Sequence, residues 1–488
     1  MVQPANPATH HESFAAQVRN AVIWRSGSQI AAQMVQWAST FLVIRILSPS
    51  DYGLFAMAGT VMAFLNMLNG YGLASGLVQQ REITERQVRQ LFGMLIVVNV
   101  TLGLAQVALA PLAAAYYRQP ELASVLRVQA LIFLSTPFMA LPQALLSRTM
   151  DFRLQARVNI LSSLAGAGMA LVGAFSGWGV WTLVIAPMAL FATRAIGMTI
   201  AARSLILPLF DFRGAGSLAR FGGVMAASQL FWFLQSQVDV FIAGRHLNVH
   251  DLGIYTTSLF LAQIFVAKFV PPLNEVAFSA YARIQHDRTA TAAAFVKGVR
   301  VVMLAALPFY FGLAVTAEPL VLVMLGDKWA EAIPIVRLLA LAMPMMTLQV
   351  LFSPACDALG RPGIGVSNGA AGSLILAVGF LFGVQWGVLG LSAAWIACYP
   401  LYLAISCWRS LPVIGARWRD VASSVAAPLL AAAGMASVVW LIDQAVDLAP
   451  AARLAVLVMV GGAAYAGLLM VFAPSLVRQT IALVRNRG

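Results

Sequence analysis

Apolar runs of roughly 20 residues recur along the whole chain, each long enough to cross a hydrocarbon core of about 30 Å as a helix, with short charged stretches between them. Fourteen such runs are predicted, at 28–46, 54–79, 91–116, 123–146, 154–175, 178–202, 221–244, 252–280, 298–325, 332–355, 364–384, 386–407, 421–442 and 453–473. Within two of them the polar residues fall in register. Arg25, Gln29, Gln33, Gln36 and Thr40 are spaced i, i+4, i+8, i+11 and i+15, and Ser228, Trp232, Gln235 and Asp239 are spaced i, i+4, i+7 and i+11. Each set is one stripe of an α-helix. Lipid disfavours such a stripe, so both helices are expected to line an interior space.

These two helices open two halves that echo each other. RILSPSDYGLF at 45–55 aligns without a gap on RHLNVHDLGIY at 245–255, and Ser28-Gln29 recurs as Ser228-Gln229 at the same offset. Farther along, Pro111 and Arg127 answer Pro319 and Arg337, Gln143, Ser147 and Asp151 answer Gln349, Ser353 and Asp357, and Trp178-Gly179-Val180 answers Trp386-Gly387-Val388. Matches in the same order over that length point to a duplicated six-helix unit. Because six is even, both copies enter the membrane in the same direction, the parallel-repeat plan of many secondary transporters, whose substrate cavity lies between the halves. The expected fold is therefore all-α and polytopic, with about 14 transmembrane helices: two six-helix repeats forming two lobes around a central cavity, and two further C-terminal helices. The corresponding segments are 1–24 (N-terminal, cytoplasmic), 25–205 (N-lobe), 206–220 (linker), 221–408 (C-lobe), 409–475 (two helices) and 476–488 (cytoplasmic tail).

Ionisable groups inside apolar runs narrow the search, because a charge near the bilayer centre costs about 2.5–3.5 kcal/mol on insertion scales unless paired or wet. Arg194, Asp239, Lys268 and Glu275 qualify. Asp239 stands toward the outer end of its run, where it could couple an ion or pair with Arg245. Lys268 precedes FVPPLNE, and Pro271-Pro272 must break or kink the eighth helix, freeing carbonyls beside Asn274 and Glu275. The break either makes an ion site or only shapes the bundle, with Lys268 and Glu275 as a pair. Arg194 either faces the cavity or snorkels to the nearer cytoplasmic surface, the latter being the first expectation. Trp37, Phe231, Trp232 and Phe233 could stack on sugar rings or merely pack.

Composition agrees with the membrane reading: 60% of residues are hydrophobic and 10% charged. A net charge of +13 would suggest nucleic acid in a soluble protein, but 22 of the 31 Lys and Arg fall on the side that carries both termini. By the positive-inside rule that side is the cytoplasm, so no nucleic-acid partner is expected and anionic lipid headgroups are. The polar stretch 1–24 lacks an apolar core and is not expected to be a cleaved signal peptide. Cys356, Cys398 and Cys407 sit in or beside apolar runs and imply neither a disulfide nor a zinc framework. The chain has no GxxxxGK[ST] or HExxH motif, so P-loop hydrolysis is excluded, and no cofactor is expected. His246 and His250 beside Asp251 have a metal-like spacing but lie in a short outer loop, where no metal is expected.

IRILSPSDYGLFAMAGTVMAFLNMLNGYGLASGLVQQREITERQVRQLFGMLIVVN at 44–99, VDVFIAGRHLNVHDLGIYTTSLFLAQIF at 238–265, FSAYARIQHD at 278–287 and ALGRPGIG at 358–365 resemble the bacterial polysaccharide or O-antigen flippases. These Wzx-type proteins belong to the multidrug/oligosaccharidyl-lipid/polysaccharide exporter superfamily. The resemblance implies a V-shaped cavity, no enzymatic activity, and ion-coupled alternating access by a monomer in the cytoplasmic (inner) membrane. The implied cargo is undecaprenyl-diphosphate-linked oligosaccharide, moved for capsule, exopolysaccharide or lipopolysaccharide synthesis. It also implies a proton or sodium ion as coupling partner and association with a polysaccharide polymerase. A diphosphate would seek cationic walls, which nominates Arg25, Arg45, Arg245 and Lys268 for the headgroup. Gln29, Gln33, Gln36, Gln235 and Asn274 are nominated as cavity polar groups, and Asp239 and Glu275 for ion coupling. A multidrug exporter, a peptidoglycan-precursor flippase and, from another class, a membrane-embedded glycan-modifying enzyme are the alternatives.

Overall fold

The computed structural model describes residues 14–69, 84–148, 152–204, 206–211, 233–472 and 474. All the secondary structure among them is helical, as a lipid environment requires of a chain that must satisfy every backbone N–H and C=O internally. In chain order the helices are α1 (Phe14–Ile46), α2 (Pro49–Asn66), α3 (Glu85–Tyr117), α4 (Glu121–Gln129), α5 (Ile132–Ser135), α6 (Pro137–Arg148), α7 (Phe152–Phe175), α8 (Val180–Ala201) and α9 (233–246). There follow α10 (Val249–Lys268), α11 (Val270–Ile284), α12 (Arg288–Val315), α13 (Ala317–Met324), α14 (Ala332–Val350), α15 (Phe352–Ala358), α16 (Pro362–Gly383), α17 (Gly387–Ile414), α18 (Trp418–Ala445) and α19 (Pro450–Phe472).

Ten stretches among the described residues are long and apolar enough to span a membrane, and one of them, Pro362–Ile414, contains both α16 and α17. These ten cover eleven of the fourteen expected runs, and the first, second and seventh runs include residues whose backbone or side chains lie outside those described. Several expected spans are also broken. The fourth is divided into α4, α5 and α6, the tenth into α14 and α15, and the eighth breaks at Phe269, with prolines in the first turn of α11, where a missing N–H costs nothing. Asn274 ties two of these breaks together, its amide donating to the Val350 carbonyl at the end of α14 (3.3 Å).

The described residues divide into two compact units, the first within Met1–Leu47 and Val61–Ala227, the second within Ser48–Thr60 and Ser228–Gly488. In the first, α7 packs along both α1 and α8, and α3 lies against α4. The expected linker begins as an extended strap on the start of α3. Leu209 N–H donates to the Arg89 carbonyl (2.9 Å), Gln90 Nε2 donates to the Asp211 carbonyl (2.7 Å), and Arg86 bridges the Asp211 carboxylate (2.8 Å). Residues 212–220 lie outside the described residues, as do 1–13 and 475–488.

In the second unit α12 packs on α18, α16 on α17, and α14 on both α17 and α10. The two C-terminal helices belong here. Met435 and Val439 of α18 enclose Leu457 of α19, and Arg453 makes a bidentate bridge to Asp443 (2.6 and 2.8 Å).

The repeated stretch acquires a structural reason. Ser48 and Asn248 each cap the following helix with the aspartate three residues on. Ser48 N–H donates to Asp51 Oδ2 (2.9 Å), and Asp251 N–H donates to Asn248 Oδ1 (2.7 Å). Two residues past each aspartate, Gly53 and Gly253 then meet across the second unit. A Cβ on Gly53 would collide with the Val249 carbonyl, and one on Gly253 with the Pro49 carbonyl. The echo is thus two copies of one cap that cross at their glycines.

Candidate functional site

Each unit buries a polar region of its own. In the first, Gln29, Gln33 and Gln36 of α1 face one pocket of about 500 Å³. Gln143 and Ser147 of α6, Gln155, Asn159, Ser162 and Ser163 of α7, and Leu190, Phe191, Arg194 and Met198 of α8 complete its lining. Gln155 Nε2 donates to Ser147 Oγ (3.4 Å) and Ser162 Oγ to the Asn159 carbonyl (3.0 Å). Asn159 Oδ1 is buried and accepts no hydrogen bond. Arg194, for which the cavity and the cytoplasmic surface were both open, is half-buried in this lining. Serines and amides carry the α7 face where lipid would favour apolar residues, and only an enclosed, wet or liganded space explains that choice.

In the second unit the polar region is a chain of side chains without a comparable opening. Asp239 on α9 is 1% exposed and accepts the Tyr255 hydroxyl at Oδ2 (2.7 Å). Tyr255 on α10 in turn accepts the Trp395 indole N–H (2.8 Å). On α17 the Trp395 ring stacks on Tyr399 at 5.4 Å, Tyr399 lies 5.8 Å from Tyr402, and Gln235 Nε2 donates to the Tyr402 hydroxyl (3.2 Å), returning the chain to α9. A buried carboxylate with hydroxyl and indole donors behind it has two stable conditions, ionised while the donors hold it, or neutralised by a proton or a cation.

The remaining sequence-nominated residues fall elsewhere. Arg45 and Arg245 stand in the last turns of α1 and α9, and neither lines the first unit's pocket. Lys268 and Glu275 are exposed, on either side of the break at Phe269. Asn274 spends its amide on Val350. The side chain of Arg25, like Ser228, Phe231 and Trp232, lies outside the described residues. His250 bonds Glu331 (3.0 Å) with Asp251 nearby on an exposed surface, while Asp251 serves the helix cap.

A family model described as "Polysaccharide biosynthesis protein" matches residues 42–334, more than half of the chain. The chain belongs to this family. The chain is similar to the succinoglycan biosynthesis transport protein ExoT of Rhizobium meliloti (strain 1021). It is 28% identical over 338 residues, covering 69% of this chain and 68% of ExoT. The teichuronic acid biosynthesis protein TuaB of Bacillus subtilis (strain 168) is 25% identical over 468 residues, 94% of this chain and 96% of TuaB. Among solved structures, the inward closed conformation of the lipid II flippase MurJ superposes with a TM-score of 0.76 at 11% identity, covering 93% of this chain and all of MurJ. At that identity the match establishes a shared fold, a two-lobed polytopic membrane architecture.

Sequence reasoning missed Tyr255, Trp395, Tyr399 and Tyr402. One signal was available. Asp239 and Tyr255 lie eight residues either side of Leu247, and two antiparallel helices joined at a tight turn bring such positions opposite each other.

Proposed function

We propose that this protein carries a lipid-linked oligosaccharide across the bacterial cytoplasmic membrane for synthesis of an envelope or extracellular polysaccharide, and that ion binding at Asp239 drives it. Family membership and the names of ExoT and TuaB support the polysaccharide role. The fold shared with the lipid II flippase MurJ supports the transport mode. The observation that carries the coupling is the Asp239 network. A carboxylate 1% exposed within apolar helices cannot stay charged without compensation. Tyr255 and Trp395 compensate while Asp239 is ionised, and a proton or sodium ion replaces that need, so occupancy alters how tightly α9 is bound to α10 and α17.

In this reading residues 25–205 and 221–408 form the two lobes, 409–475 adds two helices, and both termini are cytoplasmic by the distribution of Lys and Arg. Arg25, Arg45, Arg245 and Lys268 are headgroup candidates for the diphosphate, with Glu275 a second coupling candidate. The chain works as a monomer beside a polysaccharide polymerase. Deleting the gene tests the function: lipid-linked oligosaccharide should accumulate on the cytoplasmic face while surface glycan disappears. Restoration by the wild-type chain and failure by Asp239→Ala, at equal membrane levels, tests the coupling role. Normal glycan in the deletion strain refutes the transport reading.

A further inference from the structure

The second unit carries a groove that neither transport nor coupling uses. Tyr399 and Tyr402 of the Asp239 network lie on one face of α17. Pro400, Leu403, Ala404, Cys407, Trp408 and Leu411 lie on another and form one wall of a groove of about 760 Å³, which Met345 of α14 and Trp418 of α18 complete. Pro400 and Pro412 stand inside the helix, and Ala404 and Ala416 leave room between larger neighbours. From Pro412 to Pro400 the groove follows about 18 Å of helix, close to the depth of one leaflet in a hydrocarbon core of about 30 Å.

The Pro412 end is basic. Residues 409–419 hold Arg409, Arg417 and Arg419 and no acidic residue. Arg417 lines the groove, between exposed Trp408 and Trp418, and amphipathic indoles of this kind mark the boundary between hydrocarbon and water. Arg288 of α12 donates to the Pro412 carbonyl and lies on Gly415, where φ is +86° and a Cβ would collide with the arginine side chain. Arg409 turns to the Ser367 carbonyl (2.8 Å). The Asp420 carboxylate accepts the Arg417 backbone N–H (3.1 Å), so the guanidinium, and not the N-terminus of α18, is what the groove presents to an anion.

We propose that this groove is a site for one anionic glycerophospholipid of the cytoplasmic leaflet, its acyl chain laid along α17 from Pro412 to Pro400 and its phosphate at Arg417. An apolar trough one leaflet deep with a cation at its mouth matches such a lipid in length and in charge. The isoprenoid chain of a carrier lipid, far longer than a leaflet is deep, has no such match. Bound there, the lipid braces α17 against α14 and α18 behind Tyr399 and Tyr402, a structural partner and not a cargo. Naming the leaflet rests on the topology taken from the Lys and Arg distribution; the site rests on the geometry of the second unit alone.

The test reconstitutes the full-length protein in nanodiscs containing phosphatidylglycerol or phosphatidylcholine with a diazirine in the acyl chain, and maps the cross-links by mass spectrometry. The phosphatidylglycerol probe should label residues 400–418 more than the phosphatidylcholine probe does, while labelling of the exposed apolar face of α19 serves as the internal standard. Arg417→Gln should lower the phosphatidylglycerol preference at 400–418 about fivefold, the worth of one arginine at an anionic lipid surface, and Arg417→Lys should keep most of it. Ala404→Trp fills the groove from an exposed position and should abolish labelling there with the standard unchanged. Equal labelling by the two probes, indifferent to Arg417→Gln, would reduce the groove to ordinary lipid contact. Displacement of the probe by undecaprenyl phosphate but not by unlabelled phosphatidylglycerol would give the groove to the carrier lipid. Labelling of α19 with none at 400–418 would mean that something other than lipid covers the groove. Each of these three results overturns the proposal, and none bears on the transport reading, which the deletion strain tests separately.

Discussion

Replacing Tyr255 with Phe removes one oxygen and breaks two hydrogen bonds, the donation to Asp239 Oδ2 at 2.7 Å and the acceptance from Trp395 Nε1 at 2.8 Å. The ring stays, so packing is preserved. If Asp239 is ionised, the first bond is charge-assisted and worth about 1.5–3 kcal/mol, and the stranded indole N–H adds about 1–3 kcal/mol. If Asp239 is neutral, both are ordinary bonds between membrane helices, which average about 0.6 kcal/mol and reach at most about 1.7. Tyr255→Phe should therefore cost about 3 kcal/mol in the ionised state and about half that in the neutral one. Equilibrium unfolding in mixed micelles measures the loss, and a double-mutant cycle with Asp239→Asn isolates the part that depends on charge. The cycle should return a coupling of about 1 kcal/mol or more. A Tyr255→Phe protein within about 0.5 kcal/mol of wild type, or strict additivity with Asp239→Asn, would refute the network and with it the coupling argument.

Other consequences are as direct. Gly53→Ala and Gly253→Ala each drive a methyl into a backbone carbonyl and should cost about 1–3 kcal/mol or more and lower membrane yield. Gly59→Ala, with nothing within 4 Å, should be neutral or stabilising by up to about 1 kcal/mol in the same unfolding assay. Arg453→Ala leaves Asp443, 9% exposed, without its bidentate partner and should lower stability by about 2 kcal/mol, partly restored by removing Asp443 as well. By contrast Arg86→Ala, whose bridge to Asp211 is exposed on both sides, should change stability by less than about 1 kcal/mol.

Much of this architecture is written in hydrophobic period and repetition, because lipid rewards apolar runs and leaves few alternatives to helix. Gln29, Gln33 and Gln36 line one pocket together, since a helix keeps residues at that spacing on one face whatever packs against it. The repeated Asp and Gly were visible in the chain, yet their meaning was not: a cap and a backbone crossing depend on which helices meet. Gly179 and Gly387 are a similar case, both at positive φ where α8 and α17 begin. Arg194 was legible only as a choice, as a long side chain in an apolar run can reach either surface or interior, and the neighbouring α6 and α7 put it in a pocket lining. Tyr255 and Trp395 carried no signal of their own in the chain, because their polar atoms matter only against Asp239, which comes from another helix.

The central claim is transport of a lipid-linked glycan by a protein whose Asp239 is held from α10 and α17. Its most direct test reconstitutes the purified chain in liposomes with a fluorescent undecaprenyl-diphosphate oligosaccharide from the native host, imposes a proton or sodium gradient, and follows the substrate's accessibility to an external glycosidase. The account predicts gradient-dependent exposure by the wild-type chain and loss of gradient dependence in Asp239→Asn. Exposure at the rate of empty liposomes, or an Asp239→Asn protein that responds to the gradient as wild type does, would contradict it.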